Sequence, residues 1–456
     1  MLGIHGIRRD RADYYLSDLA AELPVTGPAR WAGHGAEGLG LGGPVQPDDF
    51  RRLLESRHPH AGSPLGSGRV SVPAFDLTFS APKSASVLFA VGGADTARAV
   101  VAAHTEAVAG SLSYLEQHAL RATRRTGPTR DVLPTSGAVA AVFTHGISRS
   151  GDPHVHSHVV VANLVHADDG RWGACDRRGL DAHRQAASAV YEAHLRAGLT
   201  AALGVRWTGV PGRAHEVAGI GPELLGAFSS RSADIRRQMD ERGVHGGRGA
   251  RVAWASTRPL KPPSAPFADL ASRWQRRADD VGGRVELGRV GGSPGRAVLD
   301  EHRFAGVISL PAHGGAHRRD VVAAFGAAAS QGAPAPVLER LVAQWVPPGP
   351  GGVAEPLQQR RTVVPAVHHL RALGPRPVDP DDHAVWVGAA RSLDAYRDKW
   401  GPDGAVTPLG QASKLAALPL PLQQLADHIS TEREVAVARA RLGWREPAAV
   451  ERGRGR

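Results

Sequence analysis

The chain is short of several residue types, and each shortage removes a class of explanation. Cys175 is the single cysteine. That excludes an internal disulfide and any cysteine-built zinc motif, and it fits a reducing compartment. No uninterrupted apolar run is long enough to span a bilayer. The start, Met1 to Arg11, is polar and basic, without the apolar core of a signal peptide. The expectation is a soluble, cytoplasmic protein with no membrane insertion. Lysine stands only at positions 83, 261, 399 and 414, so arginine carries almost all the basic charge. Arginine in place of lysine, with abundant Ala, Gly and Pro, fits a GC-rich coding genome. That bias explains the composition but not the net sign, which is +11 and points to a polyanionic partner. Tyrosine is scarce as well, with five in all, so the adjacent pair Tyr14-Tyr15 stands out. Taken alone, such a pair more often anchors a helix on the core.

What is present centres on Val142 to Asn163. Ala138 to Phe143 is a run of small, β-branched or aromatic residues that ends at His145. Ser150-Gly151-Asp152-Pro153 follows as a cluster of turn formers. His154 to Leu164 then alternates polar and apolar at its start, the mark of a second strand. Side chains two apart on a strand share a face. His154, His156 and His158 therefore point one way, while Val155, Val159 and Val161 point into a core. In a hairpin, His145 can sit beside this row. A lone histidine is usually solvated or hydrogen-bonded, but an alternating trio with another imidazole on the facing strand is a metal-site pattern. Nitrogen ligands suit zinc, nickel and copper and, less tightly, manganese or iron. Three neutral ligands leave the ion's charge uncancelled, which suits an anionic substrate such as a phosphate.

At 456 residues the chain has room for two or three domains. Trp31 to Gly43 is glycine-dense, lacks a Gly-Lys-Ser/Thr ending and reads as a loop. Pro47 to Ser56 reads as a short helix capped by Asp48 or Asp49. Val70 to Phe79 alternates as a strand, with Asp76 near its end. Ser80 is the expected N-cap of the next helix and Pro82 fits its first turn. Because helix N-termini favour anions, Asp76 and Lys83 become candidates for a phosphate site. Asp95 should cap a long amphipathic helix to about Arg121, with Val101, Val108, Leu112 and Leu115 on one side. Arg121, Arg124, Arg125 and Arg130 form a basic cluster suited to a nucleic-acid backbone, or to a charged loop. Further helices are expected over Ala182–Leu203 and Leu224–Arg242, with a β piece starting at Val205 between them. From residue 282 Gly, Pro and Arg are dense, with helical islands at Arg319–Ser330, Pro336–Val346, Asp382–Trp400 and Leu420–Leu442.

Over about residues 1–265 the ordered motifs resemble the MobF (TrwC/TraI-type) conjugative relaxase family of histidine-motif nicking endonucleases. They are Tyr14-Tyr15-Leu16, the glycine-dense Trp31–Gly43, Phe75-Asp-Leu-Thr-Phe-Ser-Ala-Pro-Lys-Ser84, Phe143-Thr-His-Gly-Ile-Ser-Arg149, Asp152-Pro-His-Val-His-Ser-His158 with Asn163, and Phe228-Ser-Ser-Arg231. The Asp76 phrase and the spaced histidines are together highly specific, whereas the glycine and Phe-Ser-Ser-Arg pieces are individually weak. The resemblance implies an α/β, HUH endonuclease-like relaxase fold: a central, mostly antiparallel sheet flanked by helices, with the histidine hairpin in its middle. It implies that His145, His156 and His158 hold a divalent metal, Mg²⁺ or Mn²⁺ first and Zn²⁺ or Ni²⁺ as alternatives. His154 is then an extra imidazole. Asp76 becomes the acid beside the metal, either a base or an orienter of a ligating histidine. Tyr14 becomes the nucleophile, with Tyr15 beside it. DNA contacts are expected from Lys83, Arg124, Arg125 and Arg149.

The implied activity is metal-dependent, site- and strand-specific nicking of single-stranded transfer-origin DNA through a 5′-phosphotyrosine link. The implied partners are a conjugative coupling protein and accessory relaxosome proteins. Residues 1–281 form the expected relaxase domain and 282–456 a mostly helical, loosely packed C-terminal region. The chain departs from relatives with a second tyrosine pair and a phosphate-loop helicase, since it has neither. That motivates an alternative, a relaxase-like protein that binds single-stranded DNA without cutting. A small-molecule metalloenzyme with the same trio is a third reading, which the net charge disfavours.

Overall fold

In a computed structural model, the described residues are 1–8, 26–66, 71–126, 129–209, 215–243, 266–283, 299, 317–345, 372–400 and 422–444. Tyr14, Tyr15, the run to Glu22 and most of the Gly/Pro/Arg-dense C-terminal stretches lie outside them. The chain forms two compact units, residues 1–295 with 331–335 and residues 296–330 with 336–456.

The first unit opens with β1 (Leu2–Ile7), β2 (Arg30–Ala32), a short helix α1 (His34–Gly38) and α2 (Pro47–Leu54). Next come β3 (Ala74–Ser80), α3 (Lys83–Val91) and the long α4 (Gly93–His118). A small hairpin, β4 (Ala122–Thr126) and β5 (Thr129–Leu133), precedes the large one, β6 (Ala140–Ile147) and β7 (Pro153–Ala162). Short strands β8 (Val165–His166) and β9 (Trp172–Gly173) lead to α5 (Arg177–Leu203). After β10 (Trp207–Thr208) and β11 (Glu216–Val217) come α6 (Pro222–Ala227), α7 (Ser230–Glu241) and α8 (Phe267–Asp280).

Five strands pair in the order β1-β3-β7-β6-β2, antiparallel at every step. The histidine hairpin therefore supplies the central strand, and the expected α/β architecture is the one observed. One face of the sheet packs on α3, α4 and α5, and Phe79 meets Tyr191 of α5 there at 5.3 Å. On the other face Ile7, Ala74, Val160, Ala141 and Phe143 are buried against Phe50 and Leu54 of α2. Two residues further along each strand that same face turns polar. Ala74 gives way to Asp76, Val160 to His158 and Phe143 to His145, staggered by one side-chain step from strand to strand. The candidate site is the polar end of a face whose other end is core.

Several local expectations are corrected. The glycine-dense segment is structured: Trp31 is in β2, and α1 follows. Gly33 has φ 94° and a Cβ there would lie 2.4 Å from the Ala138 carbonyl oxygen, so only glycine fits. Pro47 sets the first turn of α2, whose cap is Gln46, not Asp48 or Asp49. Ser80 ends β3, and Pro82 caps α3. The long helix starts at Gly93, which leaves Asp95 inside its first turn. Val101, Val108, Leu112 and Leu115 are buried as expected. α5 starts earlier than expected, at Arg177, because the Asp176 side chain accepts from the Arg178 amide. The helix expected over Leu224–Arg242 breaks in two at Phe228–Ser229, since the Ser230 amide donates to Asp152.

That break marks a latch on the histidine hairpin. Asp152, 2 % exposed, accepts from Ser230 N (2.8 Å), Ser230 Oγ (2.9 Å) and Arg277 Nη1 (3.0 Å). Trp274 Nε1 donates to the Gly151 carbonyl at 2.9 Å, and Arg277 lies over the buried Phe228 ring. Helix α8 and the Phe-Ser-Ser-Arg segment are thus fastened to the turn between β6 and β7.

In the second unit α9 (Arg318–Ala328), α10 (Ala335–Trp345), α11 (Pro380–Trp400) and α12 (Leu422–Leu442) match the four expected islands. Their described part is not loose. Trp386, Ala390, Leu393 and Val435 are fully buried, and Arg376 is buried over Trp386 at 4.9 Å.

Replacing Asp152 with alanine leaves Arg277 and Ser230 without their acceptor. It should cost about 2–4 kcal/mol, read as a lower urea midpoint, with Asp152→Asn milder.

Candidate metal centre

His145, His156 and His158 converge. One potential ligand atom from each lies within 4.8 Å of the others, and the ring centroids are 5.2, 5.7 and 5.3 Å apart. Cross-strand register does this: His145 stands directly opposite His156, and His158 follows two residues on along the same face. Closing three imidazole nitrogens on one ion needs only small side-chain movement, so the donor set fits a divalent transition metal.

Hydrogen bonds on the far ring nitrogens orient two of the ligands. His158 Nδ1 lies 2.9 Å from both oxygens of Asp76, which leaves Nε2 toward the centre. Thr78 Oγ1 donates to Asp76 Oδ1 at 3.2 Å. His156 Nδ1 donates to the His154 carbonyl at 2.8 Å. Burial, then repulsion from His158, drives His156 down to about 4, so its imidazole is neutral and able to ligate at physiological pH. The His154 ring stacks on His156 at 4.5 Å and is held well below the usual histidine range, chiefly by burial. It is not part of the converging trio.

The other sequence candidates are placed as follows. Lys83, its pKa lowered by burial, donates to the Pro153 carbonyl at 3.0 Å. The α3 start, read as a phosphate site, is corrected: the Glu216 carboxylate already accepts from the Ser84 amide at 2.9 Å. Arg124 on β4 is paired with Asp169, Nε to Oδ2 at 2.8 Å, and also donates to the Arg171 carbonyl. Arg125 pairs in register with Arg130 on β5, and its side chain lies outside the described residues. Arg149 sits half-buried in the turn after β6. Tyr14 and Tyr15 lie outside the described residues.

Sequence reasoning missed what lies behind the trio. Ser157 and Thr144 face the helical side of the sheet, with their hydroxyl oxygens 2.8 Å apart. His104 of α4 bridges Ser157 Oγ (2.8 Å) and the Tyr191 hydroxyl of α5 (2.8 Å). Burial lowers His104 to about 3, so its ring is neutral. A single histidine in an amphipathic helix carries no sequence signal of such a role.

A model of the TrwC relaxase family matches residues 6–281. Two Escherichia coli proteins named multifunctional conjugation protein TraI, one from strain K12, are 38% and 36% identical over 248 residues. That covers 51% of this chain but only 13% of each relative. Among solved structures, the conjugative relaxase TrwC in complex with oriT DNA, copper-bound, is 27% identical with TM-score 0.58. The match spans 63% of this chain and all of that one. TrwC bound to a 27-mer with the recognition hairpin and cleavage site is 28% identical, with TM-score 0.55 over 63% of this chain and 100% of that one.

Alanine at His145, His156 or His158 should each weaken Mn²⁺ or Co²⁺ binding at least ~100-fold by calorimetry, since three-ligand sites tolerate no loss. A second expectation follows from His104, whose pKa falls from 6.5 unfolded to about 3 folded. Its share of stability is intact above pH 6.5 and drains as pH falls toward 3, at up to about 1.4 kcal/mol per pH unit. Urea midpoints across that range should fall less steeply in His104→Asn.

Proposed function

The chain belongs to the TrwC relaxase family, whose members are DNA-nicking transesterases, and on that premise we propose that it nicks one strand of transfer-origin DNA in conjugative transfer. One observation carries this reading: three imidazoles converge at the polar end of the sheet face, with Asp76 behind one of them. A divalent ion held by His145, His156 and His158 would supply Lewis-acid polarisation of the scissile phosphate.

The chain's own groups do the rest. Both Asp76 oxygens at 2.9 Å from His158 Nδ1 support the orienting role for that carboxylate over the role of general base. Tyr14 is the proposed nucleophile. It is six residues on in sequence from Arg8, the residue that follows β1, and six residues can span up to about 20 Å; β1 runs beside β3, with His5 opposite Asp76. The phenol loses its proton to a solvent base, its oxygen bonds to phosphorus, and the bond from phosphorus to the 3′ oxygen breaks. That oxygen takes up a proton as a 3′-hydroxyl, and a 5′-phosphotyrosine remains. Because the phosphodiester energy is kept, the strand can be rejoined. Adjacent side chains point different ways on a regular helix or strand, so Tyr15 is not proposed as a simple substitute.

Mn²⁺ fits the all-imidazole donor set better than Mg²⁺, with Zn²⁺ and Ni²⁺ as alternatives. Arg125 and Arg149 are proposed contacts to the strand, by charge. Arg124 would join them only by exchanging Asp169 for phosphate. Residues 1–281 are the proposed relaxase domain, acting in the cytoplasm with coupling and relaxosome proteins; among the described residues no helix is long and apolar enough to cross a membrane.

Incubated with Mn²⁺ and single-stranded origin DNA from its own element, the chain should give an SDS-stable protein–DNA adduct. Tyr14→Phe should abolish the adduct, and Asp76→Ala should weaken metal binding ~10–100-fold. Tight DNA binding with no adduct would show a binder that does not cut.

A further inference from the structure

The polar chain behind the sheet has no part in the proposed chemistry, yet it touches the neighbours of every metal ligand. Thr144 immediately precedes His145, and Ser157 lies between His156 and His158. We infer that Tyr191, His104, Ser157 and Thr144 form a positioning network that holds the spacing of the three imidazoles and thereby sets how tightly the site binds its metal. The inference rests on the metal reading of the trio and deepens it.

Main-chain pairing of β6 with β7 loses its regularity directly beyond the trio. The β6–β7 register shifts between His145 and Ile147, so regular pairing ends at the His145–His156 rung. The adjoining rung, Thr144 with Ser157, carries the hydroxyl bridge of 2.8 Å. His104 fastens that rung to α4, and Tyr191 fastens His104 to α5, each at 2.8 Å. A slide of β6 along β7 cannot occur without breaking a bond in this series.

Donor counting gives the series one direction. Tyr191 and His104 are wholly buried. If Tyr191 donates to His104 Nδ1, then Nε2–H donates to Ser157, and Ser157 donates to Thr144. Thr144 is half-buried and can pass its proton to water. Running the other way, the last proton would sit on the buried phenol. Every group is therefore satisfied in one arrangement only, which is how a buried polar network specifies geometry. Apolar side chains would fill the same space but would leave the rung unheld.

The test uses the full chain without DNA and follows Co²⁺ binding by calorimetry and by visible absorption. Ser157→Ala should raise the Co²⁺ Kd about tenfold and change the intensity of the absorption bands. Tyr191→Phe, one bond further away, should shift both in the same direction by a smaller factor. Ser111→Ala is the control. It removes a buried 2.8 Å bond between the same two helices, to the Ala187 carbonyl, about two turns along α4 from His104. It should lower the melting temperature and leave Kd and spectrum unchanged. The inference is overturned if Ser157→Ala and Tyr191→Phe lose stability like the control while Kd and spectrum match wild type. A wild-type chain that takes up no Co²⁺ removes the metal reading itself, and the inference with it.

Discussion

The site depends on the antiparallel pairing of β6 with β7, in which His145 stands opposite His156. Strand side chains alternate with a period of two, so a one-residue slip of β7 would turn His156 and His158 into the helical layer, away from His145, and bring Ser157 to the α2 face. The pairing is enforced from both sides. Val155 and Val159 demand the core on one face, and Phe143 and Val160 demand it under α2 on the other. A reactive array is thus held by hydrophobic burial that stops two residues short of it.

This explains what could be read from the chain alone. Period-two histidines beside a valine-rich run and a Ser-Gly-Asp-Pro turn specify face and partner locally, so the hairpin and its trio were legible. The long helices were legible for the same reason, through periodic apolar positions such as Val101, Val108, Leu112 and Leu115. Caps were less so. Asp48, Asp95 and Ser80 are good cap residues by type, but the helix starts are set by Pro47, by the Gly92-Gly93 kink and by Pro82, with no side-chain cap bond at any of them.

The features that escaped are those made at long range. Glu216 reaches the start of α3 from 132 residues away, and His104 meets Ser157 across 53. Nothing in the local pattern marks either residue. The glycine-dense segment misled in the opposite sense. Gly33 and Gly35 reflect close backbone approach to Ala138, where a loop reading assumed freedom. Glu116, buried at the end of α4, accepts from the His34 and Ala138 amides and draws the His34 ring to it, holding that approach together.

The Asp152 latch bears on where the autonomous fold stops. Its carboxylate sits at the turn of the histidine hairpin, while its cationic partner, Arg277, comes 125 residues later. A polypeptide truncated ahead of α8 would retain every proposed metal ligand yet strand that carboxylate in the interior without its counter-ion. The shortest stretch that can carry the hairpin undistorted therefore runs through Arg277, well past the last histidine of the trio.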